Sequence, residues 1–236
     1  MKPMRDREID RLLDRQARLW ETGHAPAPSE VSAPRPNLAF SQRPHSGVRQ
    51  LAECVAQRVG WQIFDRQILE ALHRSDDLGK SVLESLDERL LSYREDWIYH
   101  LFVPDHMSSP GYVQRLSRLL FSLAMRGRGI FIGRGSTFVI PQEHRLSVLV
   151  LRSFETRLAR WQEDNPGHSP GEVRRSLARL DRERGEFVWR SFHRIVDDPL
   201  GYDLCVNLDG LELEAAASVV VEALGARFPQ TGTAGV

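Results

Sequence analysis

The run Leu38-Ala-Phe-Ser-Gln-Arg-Pro-His-Ser-Gly-Val-Arg-Gln-Leu-Ala-Glu53 decides how this chain is read. Its apolar start, Leu38 to Phe40, has the composition of a short buried strand. Ser46-Gly47 offers a turn, and the residues behind it keep helical spacing until Gly60. Strand, glycine turn and helix together form the layout of a phosphate-binding loop, where backbone N–H groups at a helix N-terminus meet an anion. The usual pattern is G-x-x-x-x-G-K-[ST], with the lysine reaching the outer phosphates. Here Val48 stands at the lysine position, followed by Arg49 and Gln50. Of the 32 basic residues only Lys2 and Lys80 are lysines, and neither lies in a comparable loop. Any phosphate chemistry therefore falls to arginine.

Composition sets the frame around that loop. A chain of 236 residues can hold one sizeable core, or a core with a small appendage. The formal charge is zero, so no global field points to nucleic acid or an acidic surface. Cys54 and Cys205 each sit in an apolar run and read as buried free thiols of a reducing compartment. The Arg/Asp-rich start does not read as a secretory signal, and no apolar run approaches the ~20 residues of a membrane span. A cytoplasmic protein without a nucleic-acid or membrane partner is the expectation.

Three segments are expected. Residues 1–36 combine an amphipathic helix over 5–21 with a Pro/Ala/Ser linker, residues 37–228 form the body, and 229–236 a flexible tail. The body alternates strand and helix. Helix 46–59 is followed by strand 61–64 and a helix opening at Asp65; 79–128 reads as mostly helical; strands follow at 129–133 and 146–151. Helix 153–164 comes next, then Ser169-Pro-Gly-Glu172 as a capping box that starts another helix, a strand at 203–207 and a closing helix over 211–228. This alternation predicts an α/β fold with a parallel sheet and a site at the carboxyl ends of its strands. The loop at 41–49, Asp65-Arg66, Arg134 and Arg152 all follow proposed strands.

Five segments in this order resemble the cytidylate kinase-like family, a branch of the P-loop nucleoside monophosphate kinases. The family loop S-R-x-x-G-S-G-G-R-E-I-A is similar to Ser41-Gln-Arg-Pro-His-Ser-Gly-Val-Arg-Gln-Leu-Ala52, and Y/F-D-R-E-I to Phe64-Asp-Arg-Gln-Ile68. I-G-R corresponds to Ile132-Gly133-Arg134, D-x-E-R to Asp181-Arg-Glu-Arg184, and D-P-x-x-Y-D-L-x-x-N to the run Asp198–Asn207. The resemblance spans roughly Asn37 to Phe228 and implies a P-loop NTPase-type parallel sheet flanked by helices, with a helical acceptor-binding insert and a lid.

It implies roles as well. ATP with Mg²⁺ would be the donor and a nucleoside monophosphate such as CMP or dCMP the acceptor. Ser41, His45, Ser46, Gly47, Val48, Arg49 and Gln50 would form the cofactor loop. Asp65, Arg66, Arg134 and Asp198 would hold the acceptor, with Arg66 as a fork on its phosphate. Arg49, Arg134, Arg182 and Arg184 would be catalytic, because phosphoryl transfer is mostly positioning and charge stabilisation. Asp197 or Asp198 would orient a lid arginine or the base. A homodimer is compatible with the family.

Each role has a plainer competitor. Asp65 is also a good helix N-cap. Arg182 and Arg184 lie two apart on a helix and cannot make the same contact, so a solvated face competes for them. Arg157 and Arg160 read as surface ion-pairing residues. The histidines show no metal spacing, and no metal cage is expected. Two loop glycines of the family become His45 and Val48, which burdens any backbone that needs positive φ, and Gln50 replaces a carboxylate that could organise a metal. A catalytically inactive nucleotide-binding or regulatory module of the same fold is therefore the alternative to a kinase.

Overall fold

The computed structural model describes residues 35–66 and 110–229. The expected helix at 5–21, the continuation of the Asp65 helix, much of the 79–128 insert and the tail fall outside these residues.

Five strands are described: β1 (Asn37–Gln42), β2 (Gln62–Phe64), β3 (Gly129–Ile132), β4 (Arg145–Leu151) and β5 (Leu204–Asn207). They form one all-parallel sheet in the order β2-β3-β1-β4-β5, with Leu38 opposite both Ile130 and Leu146. Helices α1 (Val48–Val59), α2 (Pro110–Ala124), α3 (Ser136–Val139), α4 (Phe154–Asp164), α5 (Pro170–Phe192) and α6 (Leu213–Arg227) connect or follow the strands. Successive strand residues face opposite sides, so a sheet covered on both faces needs continuous apolar strands. β1 and β4 have that composition. Leu38, Phe40, Ile130, Ile132, Leu146, Val148 and Val150 point to one layer, where α1 contributes Leu51, Ala52 and Val55 and α6 contributes Ala216, Ala217, Val220 and Leu224. On the other face Phe131 stacks on Phe64, ring centres 5.0 Å apart.

The amino end of β1 is pinned by Asn37, which is fully buried. Its side-chain amide donates to the carbonyls of Arg35, Ala124 and His144 and accepts from the Gly129 N–H. This fixes the strand end opposite the loop.

Helix boundaries follow local chemistry. Gly60 closes α1 in the left-handed conformation, φ 69°. Ser153 caps α4, and Ser169 with Glu172 forms the complete capping box of α5. Pro110 opens α2. Cys205 lies exposed on the edge strand β5 and Cys54 is half-buried, which corrects the expectation that both thiols are enclosed. Among the described residues no helix is long and apolar enough to cross a membrane.

Candidate functional site

Because all five strands run parallel, their carboxyl ends place five connections on one edge: 43–47, Asp65-Arg66, 133–135, 152–153 and 208–210. At the centre is the turn between β1 and α1. Ser46 is fully buried, its N–H donating to the Arg43 carbonyl at 3.2 Å and its hydroxyl lying 3.5 Å from Gln42 Oε1. Positive φ falls on His45 (60°) and Gly47 (91°). Val48 is already helical and 1% exposed, packed into the layer between α1 and α6. The burden expected at Val48 is thus absent: the left-handed turn ends one residue earlier, at a glycine, while His45 carries the non-glycine strain. Its ring is held by a flat stack on Trp161, centres 4.7 Å apart, with Asp164 at 3.9 Å. Burial lowers the His45 pKa against the attraction of Asp164, with Arg157 and Arg160 adding to the lowering.

Gly47 caps α1 without a side chain, and the first turn of α1 holds no acidic residue. Helix N-termini carry partial positive charge and unpaired N–H groups, so this one is left favourable to an anion. A Cβ at Gly47 would sit 3.6 Å from an Nη of Arg152, which donates to the Leu208 carbonyl at 3.1 Å. Burial, with Arg160 nearby, lowers the Arg152 pKa.

Behind and beside the turn stands a lattice of arginines and carboxylates. Arg157 is 0% exposed and donates from both Nη atoms to Asp181, at 2.9 and 2.8 Å, and from one of them to the Pro44 carbonyl at 3.2 Å. The expected surface role of Arg157 is therefore corrected: it is a buried prop under the loop. Arg43 reaches Asp197 at 2.9 Å and lies 3.8 Å from Asp181. Arg184 donates to the other Asp197 oxygen and to Ser41 Oγ, both at 2.9 Å. Tyr202 Oη lies 3.0 Å from Ser41 Oγ and 2.7 Å from the Val196 carbonyl. With one hydroxyl proton, Tyr202 donates to the carbonyl and accepts from Ser41, leaving the Ser41 lone pairs for Arg184. Burial would raise the Asp197 pKa, but Arg184 and Arg43 outweigh it and hold the carboxyl below its usual range.

Arg49 lies on the other flank of the turn. It pairs with Glu53 at 2.7 Å and, in close contact, with the buried carboxylate of Asp65. Burial opposes its charge, yet Glu53 and Asp65 together raise its pKa. One expected donor residue and one expected acceptor residue are thus joined directly. Arg66 is exposed at the start of the next segment. Gly133, Arg134 and Gly135 are three consecutive left-handed residues at φ 70°, 54° and 77°, bound to β1 where the Gly133 N–H donates to the Phe40 carbonyl. Glycine is required at 135 for a second reason, since a Cβ there would lie 2.3 Å from the Phe192 ring.

Not every expected residue joins this edge. Arg182 is exposed on a different side of α5 from Arg184, and Gln50 is exposed on α1. Asp198 is exposed and accepts from the Leu200 N–H at 3.0 Å, capping a short turn. Sequence reasoning missed Arg157 and Asp181 as a pair and Trp161 as the partner of His45. A signal existed: Arg157 shares a helical stripe with Phe154, Leu158 and Trp161, a spacing that turns it inward. Among the described residues no group of three or more His, Cys, Asp or Glu could hold a metal.

The parallel sheet, its strand order and the glycine turn leading into α1 define a P-loop kinase-like fold. The chain belongs to the cytidylate kinase-like family, whose model matches residues 37–210. No curated protein compared with it matches. Among solved structures it is similar to an uncharacterized protein from Eubacterium ventriosum ATCC 27560, with 15% identity, a TM-score of 0.64, and coverage of 81% of this chain and 99% of that one. More remote are a shikimate kinase from Bacteroides thetaiotaomicron (14%, TM-score 0.46, 80% and 97% covered) and a gluconokinase from Sinorhizobium meliloti 1021 (12%, 0.48, 84% and 95%). At those scores neither carries weight for this chain.

Proposed function

We propose that the protein is a nucleoside monophosphate kinase-like phosphotransferase, moving the γ-phosphoryl group of ATP to CMP, dCMP or a related phosphorylated acceptor. The observation that carries this reading is the open N-terminus of α1 at Gly47, with Arg152 beside it and Arg43 and Arg184 at the same strand edge. An NTP brings several negative charges, and fixed dipoles with guanidinium groups are the elements that hold them. Asp65, Arg66 and Arg134 would face the acceptor from the ends of β2 and β3, with Arg49 reaching Asp65 from the first turn of α1. The site fits phosphate anions. It does not fit Mg²⁺ through the loop itself, because the position that carries a hydroxyl ligand in the usual pattern is the cation Arg49.

A second reading, a catalytically inactive nucleotide-binding module, is favoured by one feature: Arg49 is committed to Glu53 and Asp65. Calorimetry with ATP and Mg²⁺, followed by an ADP-release assay over nucleoside monophosphates, separates the two. Triphosphate binding with turnover on CMP or dCMP is the expected result. A monophosphate bound without any triphosphate binding would overturn the kinase reading in favour of the module.

A further inference from the structure

Asp197 is held as a ligand is held. Its two carboxylate oxygens are shared between two guanidinium groups from separate segments, Arg43 of the loop and Arg184 of α5, at 2.9 Å each. Arg184 extends the same grip to Ser41 Oγ at the end of β1. A carboxylate bridged by two arginines beside a hydroxyl has the sign of charge, and nearly the oxygen spacing, of a phosphoryl group in the same place, which would bring more charge to the two arginines. The carboxylate is also reachable, with its side chain 38% exposed, so an anion from solvent can compete for it. Of the remaining charged and titratable neighbours, Asp181 is held by Arg157 and stays 3.8 Å from Arg43, a weaker second carboxylate on that arginine, and Tyr202 donates its proton to the Val196 carbonyl.

We propose that Arg43, Arg184 and Ser41 form a phosphoanion subsite that Asp197 occupies until a phosphoryl group displaces it. The inference rests on the phosphotransferase reading for its ligand class, but the subsite is defined by side chains alone. Asp197 is then an internal competitor: it keeps two arginines preorganised and uncoupled from bulk anions, at a cost in affinity for the incoming phosphate. No bond is made or broken in the exchange; the carboxylate swings toward solvent as the anion enters.

The test uses inorganic pyrophosphate as the probe, titrated calorimetrically into the full chain. Two exposed-type ion pairs are each worth ~0.2–1 kcal/mol, so releasing both corresponds to about a two- to thirtyfold gain in affinity. Asp197→Asn is expected to bind pyrophosphate tighter by that factor, and Asp197→Ser serves if the Asn variant melts abnormally. Glu186→Gln, which removes the same charge from an exposed residue of α5, is expected to change little. In a background carrying both Arg43→Gln and Arg184→Gln the gain from Asp197→Asn should vanish, because the two freed arginines are the groups that bind. Equal or weaker binding by Asp197→Asn, or a gain that survives the loss of both Arg43 and Arg184, overturns the proposal. Turnover on a monophosphate without tightening in Asp197→Asn would leave the kinase reading standing and remove the subsite. Tightening without any turnover would do the reverse.

Discussion

Replacing Arg157 by Met should be the most damaging single change around the loop, although Arg157 need not touch a ligand. Its guanidinium is fully enclosed, makes two charged hydrogen bonds to Asp181 and supports the Pro44 carbonyl. Removing one partner of such a pair leaves the other buried and uncompensated, which typically costs ~3–5 kcal/mol. Asp181 retains 19% exposure and has Arg43 at 3.8 Å, so water and a second cation recover part of that cost. The lower end, about 3 kcal/mol, is the working value. For a domain of this size that is a fall in Tm of roughly 6–12 °C. The double change Arg157→Met with Asp181→Leu removes both charges and should regain most of the loss, leaving the unpaired Pro44 carbonyl as a remainder of about 1 kcal/mol. Urea denaturation of the three proteins reads these differences as midpoints at constant m. A loss under 1 kcal/mol for the single variant, or a double variant no more stable than the single, would refute the assignment of Arg157 as a buried prop.

Three further outcomes follow from particular contacts. Gly135→Ala must accept φ 77° and a Cβ 2.3 Å from Phe192, whereas Gly60→Ala meets only the φ term, with nothing within 4 Å of the new carbon. Denaturation should show about 1 kcal/mol lost at Gly60 and roughly 2–4 at Gly135, and equal losses would mean that the Phe192 contact yields without cost. The lowered pKa values of His45 and His144, both caused chiefly by burial, mean that the folded state binds fewer protons than the unfolded chain around their ordinary 6.5. Stability is therefore complete above that value and declines as pH falls below it, and His45→Asn, which tolerates the left-handed backbone, should flatten that slope in melts taken from pH 7.5 to 5. A slope unchanged in His45→Asn would assign the whole effect to other groups. Arg49→Ala removes one cation from the buried Asp65 and one from the loop, so separate titrations should show weaker binding of triphosphate and monophosphate alike; a loss confined to the triphosphate would show that the Asp65 pair is dispensable.

The sheet was legible because its strands are written as apolar runs between glycines: Gly129–Ile132 and the strand ending at Leu151 need no context beyond burial on both faces. The α5 capping box was legible because Ser169 and Glu172 interact over three residues, a distance the sequence itself encodes. The lattice at the site was not, because its pairs cross 13 to 154 residues and two of its members look like surface residues in any local window. Helical spacing held a partial clue. Val173, Leu177, Asp181, Arg184 and Val188 share one face of α5, so two charges sit on a stripe otherwise used for burial. Charges on an apolar stripe need partners, and those partners are Arg157, Arg43, Asp197 and Ser41.

This arrangement changes what the missing lysine means. A lysine in the usual loop delivers its charge locally, from the same few residues whose backbone wraps the phosphate. Here Val48 turns that position into core, and on the proposed reading the charge would come from elsewhere: Arg43 in the turn, Arg152 after β4, Arg184 on α5. Each of those arginines is placed by a contact that exists only when the strand edge is assembled, whether to Leu208, Asp197 or Ser41. Affinity for an anion is then a property of the packed edge rather than of the loop. Linkage makes the converse hold, since a ligand that binds only the assembled edge stabilises it, by about 2.7 kcal/mol at a hundredfold excess over Kd. If the proposed function holds, phosphate binding and the docking of α5 against β1 would be one equilibrium, and the absence of the loop lysine would remove a local contact without removing the means of binding.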